Sequence, residues 1–279
     1  MTYSILPPLP LLALVLASAF APALAADCAH SAPRDLALDL DGVKTVMFEV
    51  GPHELRVDAS ASPTGRISGR ACASSAERLD ALTVTQQRDG ERLRVRLSRE
   101  DRGWGLGIGN RYAYLSLEAG LPEHVLVQLD VGSGDAWLTG AAAASADVGS
   151  GDVDIRRTLG QVTIKVGSGD IDIDEAGALK VLSVGSGDIE ARNVRGDTEV
   201  GSIGSGDFTL RRATGNVAID SIGSGDAGLA DIGGSVRVGS VGSGDLDVQG
   251  VGGNLTVSSV GSGDVSHGGV RGTVDVPRR

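Results

Sequence analysis

Val148-Gly149-Ser150-Gly151-Asp152-Val153-Asp154-Ile155 is the stretch that decides the fold, because its centre recurs. Gly-Ser-Gly-Asp begins at Gly132, Gly149, Gly167, Gly185, Gly204, Gly223, Gly242 and Gly261, each time after Val or Ile, at spacings of 17, 18, 18, 19, 19, 19 and 19 residues. Eight tandem copies at so even a spacing are one structural unit stacked on itself. After the Asp, apolar residues alternate, as in Val153 and Ile155, Phe208 and Leu210, or Leu246 and Val248. A period of two is the mark of a strand. A second glycine follows (Gly160, Gly177, Gly196, Gly215, Gly234, Gly253, Gly272) and then a second alternating run, such as Val217 and Ile219 or Leu255 and Val257. Each coil therefore reads strand, turn, strand, turn. Stacked in register, the coils bury columns such as Val153, Ile171, Ile189, Phe208, Ala227, Leu246 and Val265.

The expected fold is all-β: a right-handed parallel β-solenoid, or β-helix, with two strands per 17–19-residue coil and a divergent N-terminal β cap. With strands about 4.8 Å apart, eight coils make a rod on the order of 40 Å long. Antiparallel propellers and barrels need longer repeats or Asn-Gly hairpins, and ankyrin or leucine-rich arrays need helical periodicity that these units lack.

Composition agrees. Of 279 residues 42 are glycine, about twice the usual share of about 7%, and only 3% are aromatic, whereas 41% are hydrophobic. The core is built from small aliphatics. With 36 acidic and 25 basic residues the net charge is −11, which argues against a nucleic-acid partner.

Three regions follow: a signal peptide over 1–25, a divergent β region or cap over 26–131, and the eight-coil solenoid over 132–279. From Ile5 to Ala26 the chain carries no charge, and an apolar run from Leu11 to Phe20 leads to Ala23-Leu24-Ala25, as in a secretory signal cleaved after Ala25 or Ala26. No other segment approaches the roughly 18 apolar residues of a membrane span, so none is expected after cleavage. Asp27 before Cys28 argues against a lipid anchor. Cys28 and Cys72, the only cysteines, are expected to pair in an oxidising compartment. In residues 27–131 the alternation persists at Val46, Phe48 and Val50, at Leu93, Val95 and Leu97, and at Val125, Val127 and Leu129. This stretch reads as divergent coils covering the first open strand edge. Asp101–Asn110 reads as a flexible glycine-rich loop, and Pro277-Arg278-Arg279 as an edge guard.

Asp135, Asp152, Asp170, Asp188, Asp207, Asp226, Asp245 and Asp264 should form one column. In water, carboxylates about 4.8 Å apart repel by about 0.9 kcal/mol per pair, less than the roughly 1.5–3 kcal/mol of a charge-assisted bond from a turn amide. The column therefore stands without metal, with the glycines beside Ser supplying a φ > 0 turn geometry. The sharper alternative is a calcium-stabilised β-roll in which these aspartates are ligands. Against it, Val148 and Val153 stand where the nonapeptide calcium roll needs its first Gly and its Asp. The other alternative, a carbohydrate-active β-helix enzyme, lacks an aromatic ladder among the outward positions Asp154, Asp172, Glu190, Thr209, Gly228 and Asp247, with Trp104 and Trp137 the only tryptophans. His30, His53, His124 and His267 are scattered singly and read as surface residues. No catalytic, cofactor-binding or metal residue is assigned.

Leu121-Pro122-Glu123-His124 entering Val125–Val131, followed by tandem Gly-Ser-Gly-Asp-Val/Ile units, resembles the bacterial β-strand-repeat proteins known as candidate adhesins of unknown function. The resemblance covers most of the mature chain. It implies a secreted or envelope-located β-helical protein with no assigned catalysis. The resulting expectation is a non-enzymatic exported solenoid, acting as an envelope scaffold or a surface adhesion module, in the periplasm, on the outer cell surface or outside the cell. Its partner would be an envelope or surface ligand, and no cofactor is expected.

Overall fold

Alternating small aliphatics produce strands wherever the chain is described. The computed structural model describes residues 28–100 and 111–277. The signal segment, the Asp101–Asn110 loop with Trp104, and Arg278 and Arg279 lie outside the described residues. Among the described residues 24 strands form two sheets of 12. The first nine are β1 (His30–Ala37), β2 (Thr45–Gly51), β3 (Glu54–Ser60), β4 (Arg66–Ala73), β5 (Leu82–Asp89), β6 (Arg92–Arg99), β7 (Ala113–Pro122), β8 (Leu126–Val131) and β9 (Asp135–Thr139). The repeats continue from β10 (Ala143–Val148) and β11 (Val153–Arg156) to β23 (Val265–Val270) and β24 (Val274–Asp275).

From β8 onward even-numbered strands lie in one sheet and odd-numbered strands in the other, each parallel to the strand one coil away. This is the expected parallel β-solenoid. Val153, Ile171, Ile189, Phe208, Ala227, Leu246 and Val265 stand side by side in the odd sheet, as the repeat predicts.

In each coil beginning from Gly132 through Gly242, the alternation is broken after the second buried residue of the odd-numbered strand. In the coil beginning at Gly204 the buried residues are Phe208, Leu210, Ala213, Val217, Ile219 and Ile222, so the step from Leu210 to Ala213 contains one residue too many. Arg212 absorbs it in the left-handed region, φ 59°. Arg157, Glu175, Asn193 and Asp231 do the same in their coils, and in the last two Gly250 and Gly269 take over.

Two further options account for the drift from 17 to 19 residues. The 17-residue coil has a narrow second turn, Ala141 to Ala144, and strict alternation over Ala144, Ala146 and Val148. The next coil widens that turn, Thr158 to Val162, and the third keeps it narrow but adds Leu182 between Val181 and Val184, where the register shifts. Every coil from Gly185 on has both additions.

The N-terminal end is not stacked in chain order. The β2–β3 coil lies against β8 and β9, and β6–β7 stacks in parallel on its other side. Beyond it β4 and β5 run antiparallel to β7 and β6, with β1 outermost beside β4. The chain thus runs to the tip, closes it, and returns past its own first coil. Crossing from β4 to β5 it forms α1 (Ala76–Asp80), whose N-cap Ser75 accepts from Arg78 N–H at 3.4 Å. This short helix corrects the expectation of a mature chain without helix. Ala, Glu, Arg and Leu behind a serine cap favour a turn of helix wherever no neighbouring strand captures the backbone. Cys28 and Cys72 are disulfide-bonded, Cα to Cα 5.6 Å, which ties the start of the described chain to β4.

Candidate functional site

The aspartates of the repeated turn form the expected column, and their partners lie between coils. Asp152 N–H donates to Asp135 Oδ1 at 3.2 Å, and the pattern repeats at Asp170 on Asp152, Asp188 on Asp170, Asp207 on Asp188, Asp226 on Asp207, Asp245 on Asp226 and Asp264 on Asp245, tightening to 2.8 Å. Each of these carboxylates spends Oδ1 on the amide of the next aspartate, so the column fastens coil to coil. Among the described residues no group of three or more His, Cys, Asp or Glu is placed to hold a metal ion.

The glycines of the same turn have a different cause from the one expected. None of those in the Gly-Ser-Gly-Asp units has positive φ. The third residue is glycine because the turns stack too closely for a side chain. A Cβ on Gly206 would lie 1.9 Å from the carbonyl oxygen of Gly187, and one on Gly187 would lie 1.8 Å from that of Gly169.

A second ladder was not read from the sequence. Asn216 N–H donates to Asp197 Oδ1, Ser235 to Asn216 Oδ1, Asn254 to Ser235 Oγ and Thr273 to Asn254 Oδ1, at 2.7–3.0 Å. The available signal was the short polar residue that follows Gly196, Gly215, Gly234, Gly253 and Gly272.

A ninth, divergent copy of the turn is Gly51-Pro52-His53-Glu54, between β2 and β3. Ser133 and Gly134 donate to Gly51 O at 3.1 and 2.9 Å, just as Ser150 and Gly151 donate to Gly132 O at 2.7 and 3.2 Å. Glu54 pairs with Asp135 in register. His53 occupies the third-glycine position at the end of the column and is fully buried, contrary to the expectation of four surface histidines. Its carbonyl accepts Asp135 N–H at 3.0 Å, while its Nδ1 accepts Leu115 N–H at 3.2 Å, joining the column to β7. Burial, and secondarily the charge of Arg99, push its pKa down to about 4.

The outer face of the odd sheet carries the polar chemistry. Asp154, Asp172 and Glu190 stand in one row. Burial, with Glu190 and Asp154 adding to it, raises the Asp172 carboxyl. Towards the tip this row continues as Trp137, Arg56 and Glu118. The Arg56 guanidinium lies 3.9 Å from the centre of the Trp137 ring. Beyond it opens a groove of about 760 Å³, floored by β1, β4, β7 and β3. Three strands set out a grid there, Arg70–Ser116–Glu54 in one row and Ser68–Glu118–Arg56 in the next. Arg56 and Glu118 also line a smaller recess of about 260 Å³ with Trp137.

Comparison with known proteins attaches to the repeats. Residues 156–267 match the model of the Toastrack DUF4097 family. That match falls within the Gly-Ser-Gly-Asp units on which the sequence resemblance rests. Among solved structures the chain is similar to a Parabacteroides distasonis protein described as a candidate lipid-binding protein, at 13% identity and TM-score 0.45, covering 88% of this chain and 97% of that one. It is similar to a candidate adhesin from Bacteroides fragilis, at 13% identity and TM-score 0.43 with the same coverage. A candidate cell adhesion protein from Clostridium sporogenes matches at 11% identity and TM-score 0.29, over 90% of this chain and all of that one. No curated protein matches the chain.

Proposed function

We propose that this protein is a non-catalytic interaction module, exported to the cell envelope, in which a stiff β-solenoid carries a binding groove at its capped tip. The observation that carries this reading is the groove itself. It lies at the end closed by reversed strands and a disulfide, and it gathers two guanidiniums and two carboxylates that make no hydrogen bond or ion pair with the described residues. Along the repeats each turn is committed to its neighbour. In the groove, Arg70, Glu54 and Glu118 make no hydrogen bond or ion pair with a described residue, and Arg56 stacks on Trp137. Export is supported by the uncharged N-terminal run ending in Ala23-Leu24-Ala25 and by the Cys28–Cys72 bond, which an oxidising compartment maintains.

Cell fractionation combined with protease shaving of intact cells tests it. The expected result is a chain shortened by the signal segment in the envelope or outside the cell, with shaving separating surface adhesion from a periplasmic role. Full-length protein confined to the cytosol would refute export.

A further inference from the structure

We infer that the tip groove binds a short peptide through its free ammonium and carboxylate groups. This rests on reading the chain as an interaction module and names the class of ligand. Arg56 and Arg70 make no hydrogen bond or ion pair with any described residue, and neither do the carboxylates of Glu54 and Glu118. Arg56 and Glu118 are direct cross-strand neighbours, about 4.8 Å apart, where opposite charges ordinarily pair. Arg56 instead places its guanidinium over the Trp137 ring, which holds it in place and leaves its N–H donors for a ligand.

The grid therefore offers both signs in alternation: plus, neutral, minus across one row and neutral, minus, plus across the next. A purely anionic ligand would meet Glu54 and Glu118, and a purely cationic one would meet Arg56 and Arg70. A zwitterion carries a counterpart for each sign. Gly69, between Ser68 and Arg70, lines the groove without a side chain, since a Cβ there would lie 2.3 Å from Ser116 O. A pyranose would need an open aromatic face, and the guanidinium of Arg56 occupies the Trp137 face on the groove side. The chemistry favours peptide over saccharide.

The test uses the mature protein with Trp104→Phe, so that Trp137 alone reports by fluorescence. The probes are the tripeptide glycyl-leucyl-glycine, its N-acetylated and C-amidated forms, and chitotriose. Expected is a saturable change with the free tripeptide, at least tenfold weaker binding of either blocked form, and no response to chitotriose. Arg56→Gln and Glu118→Gln should each weaken the tripeptide at least tenfold, with the amidated form less affected by Arg56→Gln and the acetylated form less affected by Glu118→Gln. Asp247→Asn, far along the same face, should change nothing. Calorimetric titration gives a second readout, and if a variant fails to fold the comparison of free with blocked peptides decides. No saturable response, equal affinity for blocked and free peptides, or binding of chitotriose alone overturns the proposal. Because the titration uses purified protein, its failure leaves the export reading standing, and a cytosolic location leaves the titration valid.

Discussion

Gly206→Ala and Asp207→Ala change adjacent residues of one turn and should differ greatly in cost. The methyl of Gly206→Ala would sit 1.9 Å from Gly187 O, whereas ordinary contact needs about 3.4 Å, so the two coils must part locally by about 1.5 Å. Three of the bonds across that seam lie at the clash: Ser205 N–H to Gly185 O at 2.8 Å, Gly206 N–H to the same oxygen at 3.1 Å, and Asp207 N–H to Asp188 Oδ1 at 2.9 Å. At about 1 kcal/mol each, their loss costs about 3 kcal/mol before any disturbance of the core. Asp207→Ala removes the acceptor for Asp226 N–H, a solvent-exposed bond that water can replace, and relieves two repulsions of about 0.9 kcal/mol each. Its net cost should stay below about 1.5 kcal/mol. Gly228→Ala is the control, since its Cβ would meet only Thr209 Oγ1 at 3.7 Å. Urea unfolding followed by far-UV circular dichroism measures all three. A Gly206→Ala protein within 1 kcal/mol of the parent, or no better separated from Gly228→Ala, would refute the close-stacking argument.

Other consequences follow from single sites. Thr198 is buried with Oγ1 unpartnered in a column between Leu179 and Val217, so Thr198→Val should stabilise by about 1 kcal/mol in the same urea assay. Arg212→Gly should stabilise by about 0.5–1 kcal/mol, because it removes the left-handed penalty at the cost of one exposed bond to Asn193. For His53 the folded pKa of about 4 lies below the unfolded 6.5, so the unfolded chain takes up the proton first. Its contribution is complete above about pH 6.5 and is lost as pH falls to about 4, by at most about 3 kcal/mol. His53→Gln should flatten that part of the stability–pH curve, and parallel curves for parent and variant would contradict it. Because Oδ1 of each aspartate from Asp135 to Asp245 already accepts an amide, millimolar calcium should leave the melting temperature unchanged, while a rise of many degrees abolished by chelator would make the column a ligand set.

The repeats were legible because their side chains answer to one rule, apolar in and polar out, with the same neighbour at every step. The columns through Val153 and Phe208 could be written down from spacing alone. What spacing hid was backbone conformation. Arg157, Glu175, Asn193, Arg212 and Asp231 share a left-handed conformation but no residue type, and glycine takes the place only at Gly140, Gly250 and Gly269, so the bulge has no consistent sequence signature. The reason for the third glycine was hidden too, since a left-handed turn and a stacking clash select the same residue. At the tip, Gly51-Pro52-His53-Glu54 keeps only the first glycine and an acid at the fourth place, and 81 residues separate Gly51 from Gly132. Nothing local to it announces that β2–β3 is the neighbour of β8–β9.

The same repetition that makes the rod readable limits what its surface can recognise. A residue on a repeated face must tolerate its counterpart about 4.8 Å away, in coil after coil. Such columns settle into ladders that consume their own hydrogen-bonding capacity, as Asp135 to Asp264 do, or into cross-strand ion pairs such as Lys180 with Glu199 at 2.9 Å. Selective recognition needs unlike neighbours held in a fixed arrangement. The chain obtains them where it abandons its own order, by inserting β2–β3 between β7 and β9 and reversing β4 against β7. That places Arg70, Glu118 and Arg56 from three different sequence contexts on adjacent strands. The departures from the repeat and the groove of about 760 Å³ on the odd sheet's outer face therefore coincide for a structural reason, and the groove is where substitution should alter binding while leaving the solenoid intact.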